Sequence, residues 1–317
     1  MLLRFFFIIG FVFLATGCPR STVVQTPASQ MQVSHNGNQQ TLHVANFTKV
    51  NVKGMLNVSL HTGYKHPQVI LRGDPRDLAT VITSVANGQL RVAIGSGHPQ
   101  FGAVQVEIDG RYLNAFEYHG TGVITGSQLR TGLLDVVIEN PGRTTLQGQI
   151  GLRKIEVKGG GYTEISGINS PYLAVNISGK STVKLTGVAN ITTLNMVKDG
   201  RLSLYWVKSR ELTIRARGKS FIQLAGVVDK LDVELWGQAH FGGRYLRAMR
   251  SFVKTHNQSV AEISAVKRQH TLASDTSDIH FYNIPTMKAD FMANNGAVLD
   301  MRDLGAPLLQ EYDQYNM

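Results

Sequence analysis

Glu262, His280 and Asp300 lie 18 and 20 residues apart. If each occupies the same place in successive coils of a repeating strand, an acid, an imidazole and a second acid share one outward column. Two carboxyls with a basic group between them suit general acid and base attack on a sugar linkage, and the same donors suit a metal ion. Any soluble solenoid makes its outward columns polar, so this spacing alone assigns no enzyme, and no catalytic residue is expected. The ten histidines form no ligand pattern. His61 and His66 are five apart in a turn-rich stretch, His270 and His280 fall on different strands, and no His-x-His or His-x-x-x-His pair occurs. No metal and no cofactor are therefore expected. Gly159-Gly160-Gly161 and Gly120-Thr121-Gly122 lack the following helix and lysine of a phosphate loop, and fit corners instead.

Chemistry of another kind sits at the start of the chain. Arg4 precedes an almost wholly apolar run over 5–15, which ends in Leu14-Ala15-Thr16-Gly17-Cys18. The run is shorter than the ~18 to 20 residues a spanning helix needs, and its flanks suit an export signal. The five residues resemble the lipobox of bacterial lipoproteins. That resemblance implies removal of residues 1–17, acylation of Cys18 and, with Pro19 in place of Asp, residence in the outer membrane. Such families place Leu three residues before the cysteine, where this chain has Ala15, so cleavage by ordinary signal peptidase remains open. Cys18 is the only cysteine, so no disulfide closes within the chain. From Pro19 to about Gln40 the composition is Ser, Thr, Gln and Asn without a period, and 18–40 is expected to be a flexible tether.

Net charge is +10 and unevenly spread. Residues 180–268 hold 16 Lys or Arg against 6 Asp or Glu, whereas residues 269–317 hold 2 against 7. Arg201, Lys208, Arg210, Arg215, Arg217, Lys219, Arg244, Arg247 and Arg250 form a basic band. On an exported protein such a band fits anionic lipid headgroups, an acidic glycan or an acidic partner in an envelope complex; scattered solvated charge is the plain alternative. Nucleic acid is not expected, because export separates the chain from it and no recognised binding module is present.

The elements that must position these residues repeat about every 20 residues. Ile124, Leu146, Ile165, Leu185, Leu204, Leu224, Phe241, Ile263, Phe281 and Met301 form an apolar column whose preceding neighbours are polar in nine cases of ten. Period two means strand. A small or turn-forming residue follows two places later in most repeats, as at Gly148, Gly167, Gly187, Gly226 and Asn283. A second apolar strand per repeat is marked by pairs such as Val175 and Ile177 or Ile214 and Ala216. Asn140, Gly159, Gly179, Gly218, Asn257, Asp275 and Asn295 supply corners between them. One such unit cannot bury its own apolar side, but a stack can. The predicted fold is all-β, a right-handed parallel β-helix or β-solenoid over 41–303, with opening turns at 41–100 and regular turns at 110–303. Residues 304–317, carrying Leu308, Leu309 and Tyr312, are expected to be a cap or tail. Asp77 to Val85 fits a short helix capped by Asp74 or Asp77.

Phe47, Val50, Val52, Gly54, Val58, Leu60 and Gly63, then Val69 to Gly73, Asp74, Leu78, Val85 and Gly88-Gln89-Leu90, resemble the opening of the bacterial family described as putative auto-transporter adhesin, head GIN domain. The strands from Leu173 to Gly179 and from Val183 to Gly187 resemble its repeat body. The resemblance implies a β-solenoid on the cell envelope and carries no catalytic residues. The expected function is a non-catalytic, lipid-anchored envelope protein, adhesin-like or a scaffold for binding. The alternatives are a subunit of an outer-membrane assembly such as a secretion apparatus and, last, a polysaccharide-processing enzyme.

Overall fold

Alternate residues along each strand are buried and exposed, the pattern that one wet and one core-facing side demands. The computed structural model describes residues 32–282 and 287–301. The opening strands are β1 (Gln32–Asn36), β2 (Gln39–His43), β3 (Lys49–Lys53), β4 (Asn57–Thr62) and β5 (Gln68–Arg72). A four-residue helix α1 (Pro75–Leu78) precedes β6 (Val81–Ala86), β7 (Gln89–Ile94), β8 (Gln105–Gly110) and β9 (Ala115–His119). Long strands then follow without a break: β10 (Ile124–Glu139), β11 (Arg143–Gly159), β12 (Tyr162–Gly179), β13 (Thr182–Lys198), β14 (Arg201–Gly218), β15 (Phe221–Gly237), β16 (His240–Thr255) and β17 (Val260–Ser274). The last coil is divided among β18 (Asp278–Phe281), β19 (Lys288–Asn294) and β20 (Ala297–Asp300). No helix among the described residues is long and apolar enough to cross a membrane.

Each long strand pairs in parallel with the next. Register partners are one coil apart, as in Ile165 with Leu185, Leu185 with Leu204 and Leu204 with Leu224. Hydrogen bonds therefore run between coils, and the body is a β-solenoid. Within β14 the alternation breaks twice, after Leu204 and after Ser209. Leu202 and Leu204, then Val207 and Ser209, then Leu212, Ile214 and Ala216 point inward. The chain thus turns two corners inside one strand and a third at Gly218, which gives each coil three walls. We call these the first, second and third wall in chain order.

The first wall carries two inward columns rather than one. Ile124 pairs with Thr144, and Gly126 with Leu146. Phe241 pairs with Ala261, and Gly243 with Ile263. Ile124 and Phe241 therefore belong beside the expected column and not in it. The cause is steric: a Cβ on Gly243 would run into the Phe241 ring, and one on Gly126 into Leu129 and Leu146. At the C-terminal end Phe281 pairs with Asp300, so Met301 lies one place beyond the column.

Corners lie where expected at Gly159, Gly179, Gly218, Asn257, Asp275 and Asn295, all at positive φ. Asn140 is not among the positive-φ residues. It is buried and works through its side chain, accepting from Gly142 N–H at 2.8 Å and donating to Gly122 O at 2.8 Å. Three corners use residues that sequence alone does not mark, Gln128 at φ 55°, Lys198 at φ 76° and Trp206 at φ 78°. Asn283 lies outside the described residues.

The opening joins the same sheet in an irregular order. On the first wall β4 pairs directly with β10. On the third, β9 inserts between β3 and β10. β5, β2 and β1 continue from β8 as antiparallel strands. Strand β1 and the start of β2 fall inside the span expected as tether. The expected helix from Asp77 onward is also different: α1 is capped by Asp74, which accepts from Arg76 N–H at 3.0 Å, and residues 81–86 are strand. Asn87 and Gly88, at φ 52° and 70°, make the two-residue turn that folds β6 onto β7. The signal, Cys18 and residues 304–317 lie outside the described residues.

Candidate functional site

The acid–imidazole–acid column does not assemble. Glu262 faces His280 across β17 and β18, but His280 faces Leu299, and Asp300 falls opposite Phe281. The step from His280 to its partner is 19 residues, not 20, which moves Asp300 to the alternate side of the strand. The Glu262 carboxyl is held below its ordinary value, chiefly by a hydrogen bond from His240, with burial opposing. A general acid at neutral pH needs the reverse shift.

The nine cations of the basic band are divided among the walls. Four are engaged across coils. The Arg201 guanidinium lies over the Phe221 ring at 5.9 Å, and that ring stacks on His240 at 5.1 Å. Arg217 lies over Trp236 at 4.5 Å, which stacks on His256 at 5.6 Å. Arg244 covers Tyr282 at 4.4 Å. Arg215 pairs with Asp232 at 3.0 Å and Glu234 at 3.1 Å. These contacts fasten one coil to the next. Lys219 sits at the third corner. The other four, Lys208, Arg210, Arg247 and Arg250, are on the second wall or its edge, and none has an acidic partner among the described residues.

Sequence reasoning missed what lines up with Arg250. Glu211 pairs in register with Lys230, Lys230 with Arg250, Arg250 with Arg268, and Arg268 with Lys288. Glu211 and Lys230 form an ion pair at 2.5 Å. Arg250, Arg268 and Lys288 are exposed and without an acidic partner among the described residues. Strands stack at ~4.8 Å, so four cations run about 14 Å along the edge between the second and third walls. Like charges placed directly opposite destabilise a sheet, so folding does not account for this column. The sequence carries the signal as spacings of 20, 18 and 20 residues, which lie down a column of coils and not along the chain.

Beside the ladder a groove of about 410 Å³ opens on the third wall. Lys230, Arg215, Phe252, Lys254, His270 and Met292 are among the residues lining it. Phe252 stacks on His270 at 5.0 Å, and His270 pairs with Asp290 at 3.0 Å. The groove offers an aromatic edge, a thioether and the Lys254 ammonium beside an already satisfied Arg–Asp–Glu set. That suits reversible polar recognition rather than bond cleavage.

A second constellation lies at the opposite end, on strands β4, β5 and β8. His61 Nδ1 is 3.0 Å from Asp109 Oδ1 and 3.8 Å from Glu107 Oε1. Gln68 donates to Asp109 Oδ2 at 2.8 Å, and Arg72 donates to Glu107 Oε2 at 2.5 Å. Asp109 is buried although it projects on the outward side of β8. No local spacing betrays this cluster, because β4 and β8 are 48 residues apart where they meet at His61 and Asp109.

No curated protein is significantly similar to the chain. Among solved structures, a putative adhesin from Parabacteroides distasonis is 13% identical, with 85% of this chain and 97% of that chain covered and a TM-score of 0.45. A putative lipid binding protein from the same organism is 15% identical, covering 84% and 97%, with a TM-score of 0.44. A putative adhesin from Bacteroides fragilis is 12% identical, covering 86% and 98%, with a TM-score of 0.34. The model of one family matches twice in overlapping stretches, over residues 46–193 and 173–285, as a repeating body allows. By that match, which spans β3 to β18, the chain belongs to the family described as putative auto-transporter adhesin, head GIN domain.

Proposed function

We propose that this chain is a non-catalytic binding module of the bacterial envelope, held to the outer membrane through acylated Cys18, which recognises an anionic glycan along the edge of its second wall. The observation that carries the reading is the in-register column Lys230, Arg250, Arg268 and Lys288, with Glu211 as its one acidic member. A linear polymer with evenly repeated carboxylates or sulfates matches a straight row of evenly spaced cations, and each contact is a charge-assisted hydrogen bond. Membership of a family described as adhesin supports binding over catalysis. The groove beside Phe252 and His270 gives a sugar ring an apolar edge to lie against.

The test uses the full chain in mild detergent, with heparin and polygalacturonate as probes and anionic vesicles as the competing surface. Binding to a polysaccharide probe, weakened by salt and by Arg250→Gln with Arg268→Gln, is the expected outcome. Equal binding by the double variant, or binding to vesicles alone, overturns the glycan assignment. Metabolic labelling with a fatty acid, lost in Cys18→Ser, checks the anchor separately. A second reading, docking into a larger envelope assembly through the end coil, is favoured by β19, which is exposed along its length and displays Phe291 and Met292. Recovery of a stoichiometric complex after gentle solubilisation would support it over the first.

A further inference from the structure

We propose that His61, Glu107 and Asp109 form a site for a divalent transition ion of the zinc type, which clamps the antiparallel cap of the solenoid to its first coil. The proposal rests on how the oxygens are divided. Each carboxylate gives one oxygen to a donor outside the triad: Asp109 Oδ2 to the Gln68 amide at 2.8 Å, and Glu107 Oε2 to the Arg72 guanidinium at 2.5 Å. Each turns its other oxygen towards the same imidazole nitrogen. One ligand atom from each of His61, Asp109 and Glu107 lies within 4.8 Å of the other two. Zinc bonds of about 2.0–2.2 Å place neighbouring donors about 3.0–3.5 Å apart, so separations of 3.0 and 3.8 Å need only a small contraction. Gln68 and Arg72 then stand where outer-shell partners orient ligating carboxylates.

The charge count points the same way. Arg72 balances Glu107, but Asp109 is buried with His61 and Gln68 as its partners, so with a neutral imidazole the cluster keeps one net negative charge. Burial of an unbalanced carboxylate is costly, and a cation relieves it. An imidazole with two carboxylates selects zinc or nickel over magnesium, which prefers an all-oxygen shell.

Location gives the ion its role. His61 is on β4, which belongs to the parallel body, whereas β8 is where pairing changes to antiparallel and passes to β5, β2 and β1. These antiparallel strands cover an end that would otherwise present an open edge. A metal bound by β4 and β8, with β5 holding both carboxylates in place, fixes that cover to the coil beneath.

The experiment is calorimetric titration of the full, metal-stripped chain with zinc and then nickel, paired with thermal unfolding. One saturable site and a higher melting temperature are expected, with magnesium ineffective. His61→Gln and Asp109→Asn should each weaken the site by about tenfold or more and remove the thermal shift. Asp109→Asn risks misfolding, so His61→Gln, a half-exposed residue, decides the matter. Other surface histidines bind weakly in all variants and cancel in the comparison. The proposal fails if His61→Gln keeps wild-type zinc affinity and thermal shift, or if the wild type shows no saturable binding at about a hundred micromolar zinc.

Discussion

Replacing Arg250 by glutamine should stabilise the fold while weakening its binding, and the stabilisation should vanish in salt. Arg250 stands in register between Lys230 and Arg268. With side chains splayed to about 7 Å, each like pair costs ~0.6 kcal/mol at the dielectric of water. Screening leaves roughly four-fifths of that at 10 mM salt, about two-fifths at 150 mM and about a tenth at 1 M. Summed over both neighbours, Arg250→Gln gains ~1 kcal/mol at 10 mM, ~0.5 at 150 mM and ~0.1 at 1 M. The Glu211 partner of Lys230 makes these upper figures. Urea midpoints at the three salt concentrations measure the gain, and heparin retention measures binding, which should fall by about fivefold, on the order of 1 kcal/mol for one cation on an anionic surface. A loss of stability at 10 mM salt, or a gain unchanged at 1 M, would refute the reasoning, because repulsion would then not be what the column stores.

Three further outcomes follow from the packing and charge. Gly151→Ala should destabilise by ~3 kcal/mol or more, since an added Cβ meets the Gly132 carbonyl of the preceding coil, while Gly132→Ala, with open space around it, should be near neutral; urea midpoints of the pair check this. The Glu156 carboxyl is held at about 2 by hydrogen bonds from Lys154 and then Lys158, against an ordinary 4.5. The unfolded chain therefore takes up that proton first, so the stabilisation is full above pH 4.5 and is lost as pH falls towards 2. Half-exposed lysines limit it to below ~1 kcal/mol, and Glu156→Gln should be weaker than wild type at pH 7 and equal near pH 2. Tyr118→Phe should cost ~1 to 2 kcal/mol in thermal or urea unfolding, because its buried hydroxyl donates to Leu56 O at 2.9 Å and no water can replace it.

The coil period and the inward alternation were legible because packing enforces them once per turn. Leu185, Leu204 and Leu224 sit in one buried column for that reason. What escaped were features set by neighbouring coils rather than by local residue type. Phe241 leaves the column because Gly243 gives its ring room. Lys198 and Trp206 adopt left-handed backbone because the coils around them turn there, overriding a preference that costs ~1 kcal/mol for residues with a Cβ. The placement of β9 between β3 and β10, and the meeting of His61 with Asp109, depend on pairings across tens of residues for which no spacing rule exists. The ladder is the intermediate case: Lys230, Arg268 and Lys288 repeat with the coil, but only the register shows that they share a column with Arg250.

A stacked coil presents every outward position again about 4.8 Å further on, so each column has only a few ways to tolerate its own repetition. It can stack, as Phe221 does with His240 and Trp236 with His256. It can set opposite charges against each other, as Glu164 does with Lys184 and Arg215 with Asp232 and Glu234. Both arrangements spend their chemistry inside the fold and leave little for a ligand. A column that repeats one sign gains nothing from folding and loses stability through its own field. Its energetic complement has to come from outside. By this reasoning the engaged arginines of the first and third walls are fasteners, however basic they look in the sequence, and the edge from Lys230 to Lys288 is where the proposed anionic partner would recover what the fold gives up. The same distinction separates binder from enzyme at Glu262: an acid already satisfied by His240 belongs to the first kind of column, not to a reacting centre.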